Sequence, residues 1–309
     1  MLLKEFPDIH WLKSQIQTKF ENQRTWDGRK LEHPGWPSVI LNTKTRKVLR
    51  ENISGPLSIF TTVQGNSSVA VRNKQVSVNE NIFFITNPKQ EYTLSIPNEA
   101  ETFNIHVGEK TGNEIWHDAT HSDNFLLDYP FEISTSPELH NRLHWRNSHF
   151  NSIIHKLSTV EDEMKEQELL GELIFLLLDE KIKSIKNSAS LQAIKSTTRE
   201  EIIRRLHLAT DLIYSHFDKN LTLDDLSQVS CLSKFHFIRL FNEYFHESPH
   251  QFITRLRLEK SVSYLQSSNF GVKEIAEKVG IANPSSFSRL FRNHFGVYPT
   301  QFRTSINRF

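Results

Sequence analysis

SKFHFIRLFNEYFHESPHQF, residues 233–252, returns as NPSSFSRLFRNHFGVYPTQF at residues 283–302. Phe237, Arg239, Leu240, Phe241, Phe245, Pro249, Gln251 and Phe252 match Phe287, Arg289, Leu290, Phe291, Phe295, Pro299, Gln301 and Phe302. A short helical stretch precedes each copy, LDDLSQV before the first and VKEIAEKV before the second. Two copies of short helix, tight turn and longer helix are the pattern of a doubled helix-turn-helix.

The punctuation fits. Thr222 with Asp225 three residues on, and Ser233, are N-cap candidates in the first copy. In the second, Gly280 ends the short helix, Asn283 caps the next with Pro284 at its first position, and Gly296 closes it. The first copy has Cys231 in its turn and His246 at its end where glycine would be expected.

Helical phase separates core from surface. Phe237, Leu240, Phe241, Tyr244 and Phe245 fall at i, i+3, i+4, i+7 and i+8 and read as core, as do Phe287, Leu290, Phe291 and Phe295. The opposite faces carry Phe235, His236, Ile238, Arg239 and Asn242, then Ser285, Ser286, Ser288, Arg289, Arg292 and Asn293. A helix in the major groove reads base edges with its N-terminal residues, and arginine suits guanine O6 and N7. Phe235 and Ile238 suit a thymine methyl better than water. Arg292 and Asn293, a turn further along, are expected on phosphates. The plainer alternative is that Arg239 and Arg289 pair with surface carboxylates.

From about Glu200 to Phe302 the sequence resembles the AraC/XylS family of bacterial transcription regulators. The resemblance rests on CLSKFHFIRLF, the linking segment SPHQFITRLRLEKSVSYL and the second unit IAEKVGIANPSSFSRLFRNHFGVYPTQFR, in that order. It implies two helix-turn-helix units joined by one long helix, with recognition helices in successive major grooves of double-stranded DNA. The base-reading positions would then be Phe235, Ile238, Arg239, Ser285, Ser286 and Arg289.

Upstream, LSIFTTV, SSVAVRN, QVSV, NIFFIT, YTLSI and TFNIHV lie between Leu57 and Val107, separated by turn residues such as Gly65-Asn66 and Asn87-Pro88. This spacing suggests an antiparallel sandwich or barrel. The segments resemble the cupin-like jelly-roll barrel that many such regulators carry for a small-molecule effector or for dimerisation. A helix is expected from Ser158 to Ile185, with Ser158 as N-cap candidate. Its middle, LLGELIFLLL, is apolar nearly all round and must be covered, inside its own domain or by a second copy. KNSASLQAIKS reads as a linker.

The expected fold is therefore α+β. A cupin-like antiparallel β-barrel with a helical segment occupies residues 1–185, a linker 186–198, and an all-α domain with two helix-turn-helix units 199–309. A homodimer through Leu169–Leu178 is expected.

Bulk features exclude several classes. The 309 residues exceed one ordinary core. A single cysteine, Cys231, leaves no internal disulfide. MLLKEFPDIHWLK places charges where a signal peptide needs an apolar stretch, and no run approaches the ~20 residues of a membrane span, so the cytoplasm is expected. Net charge is only +1, with the basic excess lying beyond Glu200. HDATH (His117, His121) and HNRLH (His140, His144) have i, i+4 spacing without the glutamate of HExxH. No metal, cofactor or catalytic residue is expected. The rival readings are a constitutive DNA-binding protein with a structural N-terminal domain and a cupin-type enzyme with an appended helical domain.

Overall fold

The computed structural model describes residues 2–7, 37–72, 74–120, 141–191 and 196–306. The chain divides into two compact units, Met1–Lys181 and Ile182–Phe309.

The N-terminal unit contains β1 (Leu2–Leu3), β2 (Val39–Thr45), β3 (Val48–Ser54), β4 (Leu57–Gln64), β5 (Ser67–Val71), β6 (Lys74–Val78), β7 (Ile82–Thr86), β8 (Glu91–Ile96), β9 (Ala100–Val107) and β10 (Leu143–Trp145). They form two sheets, ordered β1-β2-β9-β4-β7-β10 and β3-β8-β5-β6. The first is mixed, because β1 runs parallel to β2. Excluding β1 and β10, the remaining eight strands follow a jelly-roll order, β2-β9-β4-β7 facing β3-β8-β5-β6, with β5 and β6 a hairpin within one sheet. The expectation of a closed antiparallel barrel is corrected. Among the described residues the two sheets share no ladder, and each keeps its own edges.

The pleat explains why the sheets stay separate. Ile40, Ile59, Phe83, Ile85, Phe103 and Ile105 share one core cluster with residues of α2 (Ser148–Thr159) and α3 (Glu163–Ser190). Their neighbours Val39, Leu41, Phe60 and His106 instead line a space shared with Tyr92 and Leu94 of the other sheet. Successive side chains point to opposite faces, so the six-stranded sheet is covered on both. Every residue of β7 is buried. A further helix, α1 (Glu109–Thr120), follows β9.

The expected helix 158–185 is in fact two. Val160 is extended and ends α2, and Ser158 donates its hydroxyl to His155 O instead of capping. Asp162 supplies the cap of α3, accepting from Lys165 N at 2.8 Å. Leu169, Leu170, Leu173, Ile174, Leu177 and Leu178 of α3 are all buried in the unit's own core. The sequence left open whether these apolar residues pack within the domain or between copies; they pack within it. Of the expected linker, residues up to Ser190 belong to α3 and those from Ser196 onward to the next helix. His121 and His140, and the side chain of His117, lie outside the described residues. His144 stacks on Phe83 and meets Glu180 Oε2 at 3.0 Å. No group of metal-binding side chains occurs among the described residues.

The C-terminal unit is helical: α4 (Ser196–His216), α5 (Leu223–Val229), α6 (Lys234–Phe245), α7 (Pro249–Ser267), α8 (Val272–Lys278), α9 (Pro284–Phe295) and α10 (Pro299–Ile306). Its two halves repeat in detail. Phe241 packs against Phe245 and Phe252 at centroid distances of 4.4 and 5.5 Å; Phe291 packs against Phe295 and Phe302 at 4.6 and 5.6 Å. Among the described residues no helix is long and apolar enough to cross a membrane.

Two outcomes follow from the N-terminal core. Leu173→Asp places a charge at a fully buried position. It is expected to cost more than ~3 kcal/mol and to melt the β-rich domain in thermal circular dichroism. Separation of two intact copies by light scattering would contradict the burial. Burial also holds His106 at about 4, against an ordinary value of 6.5. The unfolded chain therefore takes up the proton first as pH falls. Stability should be complete above about pH 6.5 and fall towards pH 4, by roughly 3 kcal/mol in all. Denaturant titrations of wild type and His106→Leu across this window check it: the variant should lose the slope.

Candidate DNA-binding surface

The longer helix of each repeat begins at a satisfied cap. Thr222 and Asp225 form a reciprocal capping box on α5, and Ser233 accepts from His236 N at the start of α6. Asn283 accepts from the backbone N–H groups of Ser285 and Ser286 at 2.9 and 3.1 Å, with Pro284 first in α9. Between α5 and α6 the turn is left-handed at Cys231, φ 52°, although no glycine is present; between α8 and α9 the same state is taken by Gly280, φ 78°. Both turns close alike, with Leu232 N donating to Ser227 O and Ile281 N to Ala276 O. The second turn is one residue longer, which is why glycine and cysteine do not align in the repeat. His246 and Gly296 likewise end α6 and α9 in left-handed geometry.

The expected faces are where helical phase put them. Phe235, His236, Arg239 and Asn242 are exposed and Ile238 is half-buried; Ser285, Arg289, Arg292 and Asn293 are exposed and Ser286 is half-buried. Phe235 is 92% exposed. None of these ten residues is acidic. Among the described residues neither Arg239 nor Arg289 has a carboxylate or other hydrogen-bonding partner, unlike the expected alternative of a surface ion pair. Lys234, at the start of α6, is drawn to Asp224 at 2.7 Å.

Arg292 behaves differently. Its guanidinium stacks over the Tyr298 ring at 4.8 Å and donates to the Tyr298 hydroxyl at 2.8 Å. The arginine is thus held in one arrangement at the surface.

Sequence reading missed the residues that hold the halves together. Arg257, in α7, donates from Nε to Phe217 O (2.7 Å), from Nη2 to Lys219 O (2.7 Å) and from Nη1 to Gly280 O (2.9 Å). Burial lowers its pKa, while Asp218 nearby opposes that shift. Arg205 of α4 plays the matching part in the first unit, donating from Nη1 to Cys231 O at 3.0 Å. Within α7, burial acts against the charge of Arg255, but Glu247 and Glu259 outweigh it and hold the guanidinium well above its usual range. The available signal was an arginine in each helix preceding a helix-turn-helix, but backbone partners leave no trace in sequence.

Residues 226–305 match the family model described as a helix-turn-helix domain. The chain is 28% identical over 155 residues to the raffinose operon transcriptional regulatory protein RafR of Pediococcus pentosaceus, covering 50% of this chain and 54% of that one. It is 31% identical over 91 residues to the transcriptional regulator AlkR of Acinetobacter baylyi, covering 29% and 30%. The chain thus spans about half or less of the length of these relatives. Among solved structures, the C-terminal domain of AraT from Geobacillus stearothermophilus is 29% identical with a TM-score of 0.32, covering 33% of this chain and 84% of that one.

The turn geometry yields a paired test. A Cβ at Gly280 would lie 2.3 Å from Asp218 O, in addition to its positive φ, whereas one at Gly296 meets nothing. Gly296→Ala should cost about 1 kcal/mol for the backbone alone. Gly280→Ala should cost clearly more, upwards of ~3 kcal/mol, since backbone must move. Urea melts of both variants check this; equal losses would contradict the close approach.

Proposed function

We propose that the protein is a sequence-specific regulator of the AraC/XylS kind that reads double-stranded DNA with α6 and α9, a reading supported by the helix-turn-helix match over residues 226–305 and by the likeness to a raffinose operon regulator. The observation that carries this reading is the pair of capped helices, each presenting an unpaired arginine at the same phase, Arg239 and Arg289. Phe235, Ile238, Ser285 and Ser286 complete the base-reading set. His236, Asn242, Arg292 and Asn293 supply contacts that fix register on the backbone.

In this reading the N-terminal unit is a cupin-like effector domain, residues 1–185, connected through 186–198 to the DNA-binding domain, residues 199–309. Its jelly-roll strand order supports that assignment. A small molecule that binds its two states unequally shifts how the protein engages DNA. The working form is a cytoplasmic homodimer, and the protein is a regulator, not an enzyme.

The test is a binding titration against single-base variants of a selected site at fixed salt. Arg239→Ala and Arg289→Ala should each cost on the order of 1–3 kcal/mol and relax preference at one or two positions. Arg292→Ala should weaken all sequences alike and reduce the salt slope by about one. If Arg239→Ala weakens every sequence equally and leaves the preference profile intact, α6 is a backbone clamp and not a reader.

A further inference from the structure

Between the two sheets of the N-terminal domain lies a cavity of about 340 Å³. Its wall is mostly carbon, with Phe6, Val39, Leu41, Phe60 and Leu94 contributing. A dry apolar cavity of about 150 Å³ accommodates one benzene ring, so this one has room for two fused rings. It also lies within the size range of small-molecule sites.

The few polar groups in this wall meet at Ser58. Its Oγ lies 2.9 Å from Pro56 O and 2.8 Å from His106 Nδ1, and it also hydrogen-bonds with Tyr92. Burial keeps His106 uncharged at neutral pH. With Nδ1 engaged by Ser58, Nε2 is the ring nitrogen left for a ligand, and a hydroxyl, which both donates and accepts, pairs with it in either tautomer. Phe60 stands edge-on to both Tyr92 and His106, at 4.9 and 6.0 Å, and fixes the rings. The charged residues in the wall, Arg50 and Glu51, are opposite in sign.

We propose that this cavity takes an uncharged, largely apolar molecule about the size of two fused rings, bearing a hydroxyl that hydrogen-bonds with Nε2 of His106. The proposal rests on reading the N-terminal unit as the effector domain and specifies what that effector is chemically. An anion gains no net charge from the wall, where Arg50 and Glu51 are opposite in sign. A pure hydrocarbon fills the space but leaves Nε2 of His106 unpaired.

The probes are 2-naphthol, naphthalene and 2-naphthoate, titrated calorimetrically into the full-length protein at pH 7. 2-Naphthol should bind on the order of tenfold tighter than either of the others. His106→Leu should abolish its advantage over naphthalene without weakening naphthalene. Should that variant fail to fold, the wild-type ranking of the three probes decides alone. Equal or tighter binding of 2-naphthoate overturns the proposal in favour of anion recognition through Arg50, and no binding of any probe overturns it outright. A DNA titration with and without 2-naphthol separates the two readings. His106-dependent binding that leaves DNA affinity unchanged upholds the ligand class and removes the effector role. A different molecule that shifts DNA affinity equally in His106→Leu upholds the effector role and overturns this site.

Discussion

Three carbonyl oxygens converge on the guanidinium of Arg257, and the geometry of the C-terminal domain depends on them. Phe217 O and Lys219 O come from the turn after α4, and Gly280 O from the turn between α8 and α9. α7, which carries Arg257, is the helix that joins the two helix-turn-helix units. One side chain therefore ties the entry to the first unit to the turn of the second. Hydrogen bonds to a charged group are each worth ~1.5–3 kcal/mol. Lysine has no fork with which to span three separated acceptors. The same spot excludes a Cβ at position 280, because Asp218 O lies where it would stand. Orientation of α9 relative to α4 is thus set by backbone-to-guanidinium contacts that no hydrophobic pattern encodes.

Within this frame the two units are alike inside and unlike outside. The aromatic contacts of Phe241 and Phe291 agree to within a few tenths of an ångström. The faces differ: α6 offers an aromatic, an aliphatic and an arginine, while α9 offers two serines and an arginine. These matching aromatic contacts hold α6 and α9 alike, so in the proposed reading a difference in sequence recognition falls on the exposed residues. Arg292, stacked on Tyr298, is immobilised before any partner arrives and gives up less side-chain freedom on contact.

What the sequence disclosed and withheld follows from the range of each interaction. Helix caps at Thr222, Ser233 and Asn283 and the stripes around Phe237 and Phe287 are local and were legible. Strands β4 to β9 were legible from alternation and turns. β2 and β3 were not, because VILNTKT and VLRENIS lack clean alternation and Arg46-Lys47 between them is not a turn pair. Whether strands close into a barrel depends on pairing across some sixty residues, as in β2 with β9. The partition of α3 between domain core and dimer surface was equally ambiguous, since a hydrophobic run does not name what covers it. Cys231 and His246 in left-handed geometry went unread because only glycine advertises that conformation.

The central claim is that two recognition helices, held as one body, read DNA together. Selection of bound sequences from a random duplex library by the full-length protein tests it most directly. The account predicts a bipartite motif whose two informative segments are centred roughly 10 base pairs apart, one helical turn. A single short motif, or enrichment without any sequence preference, would contradict it.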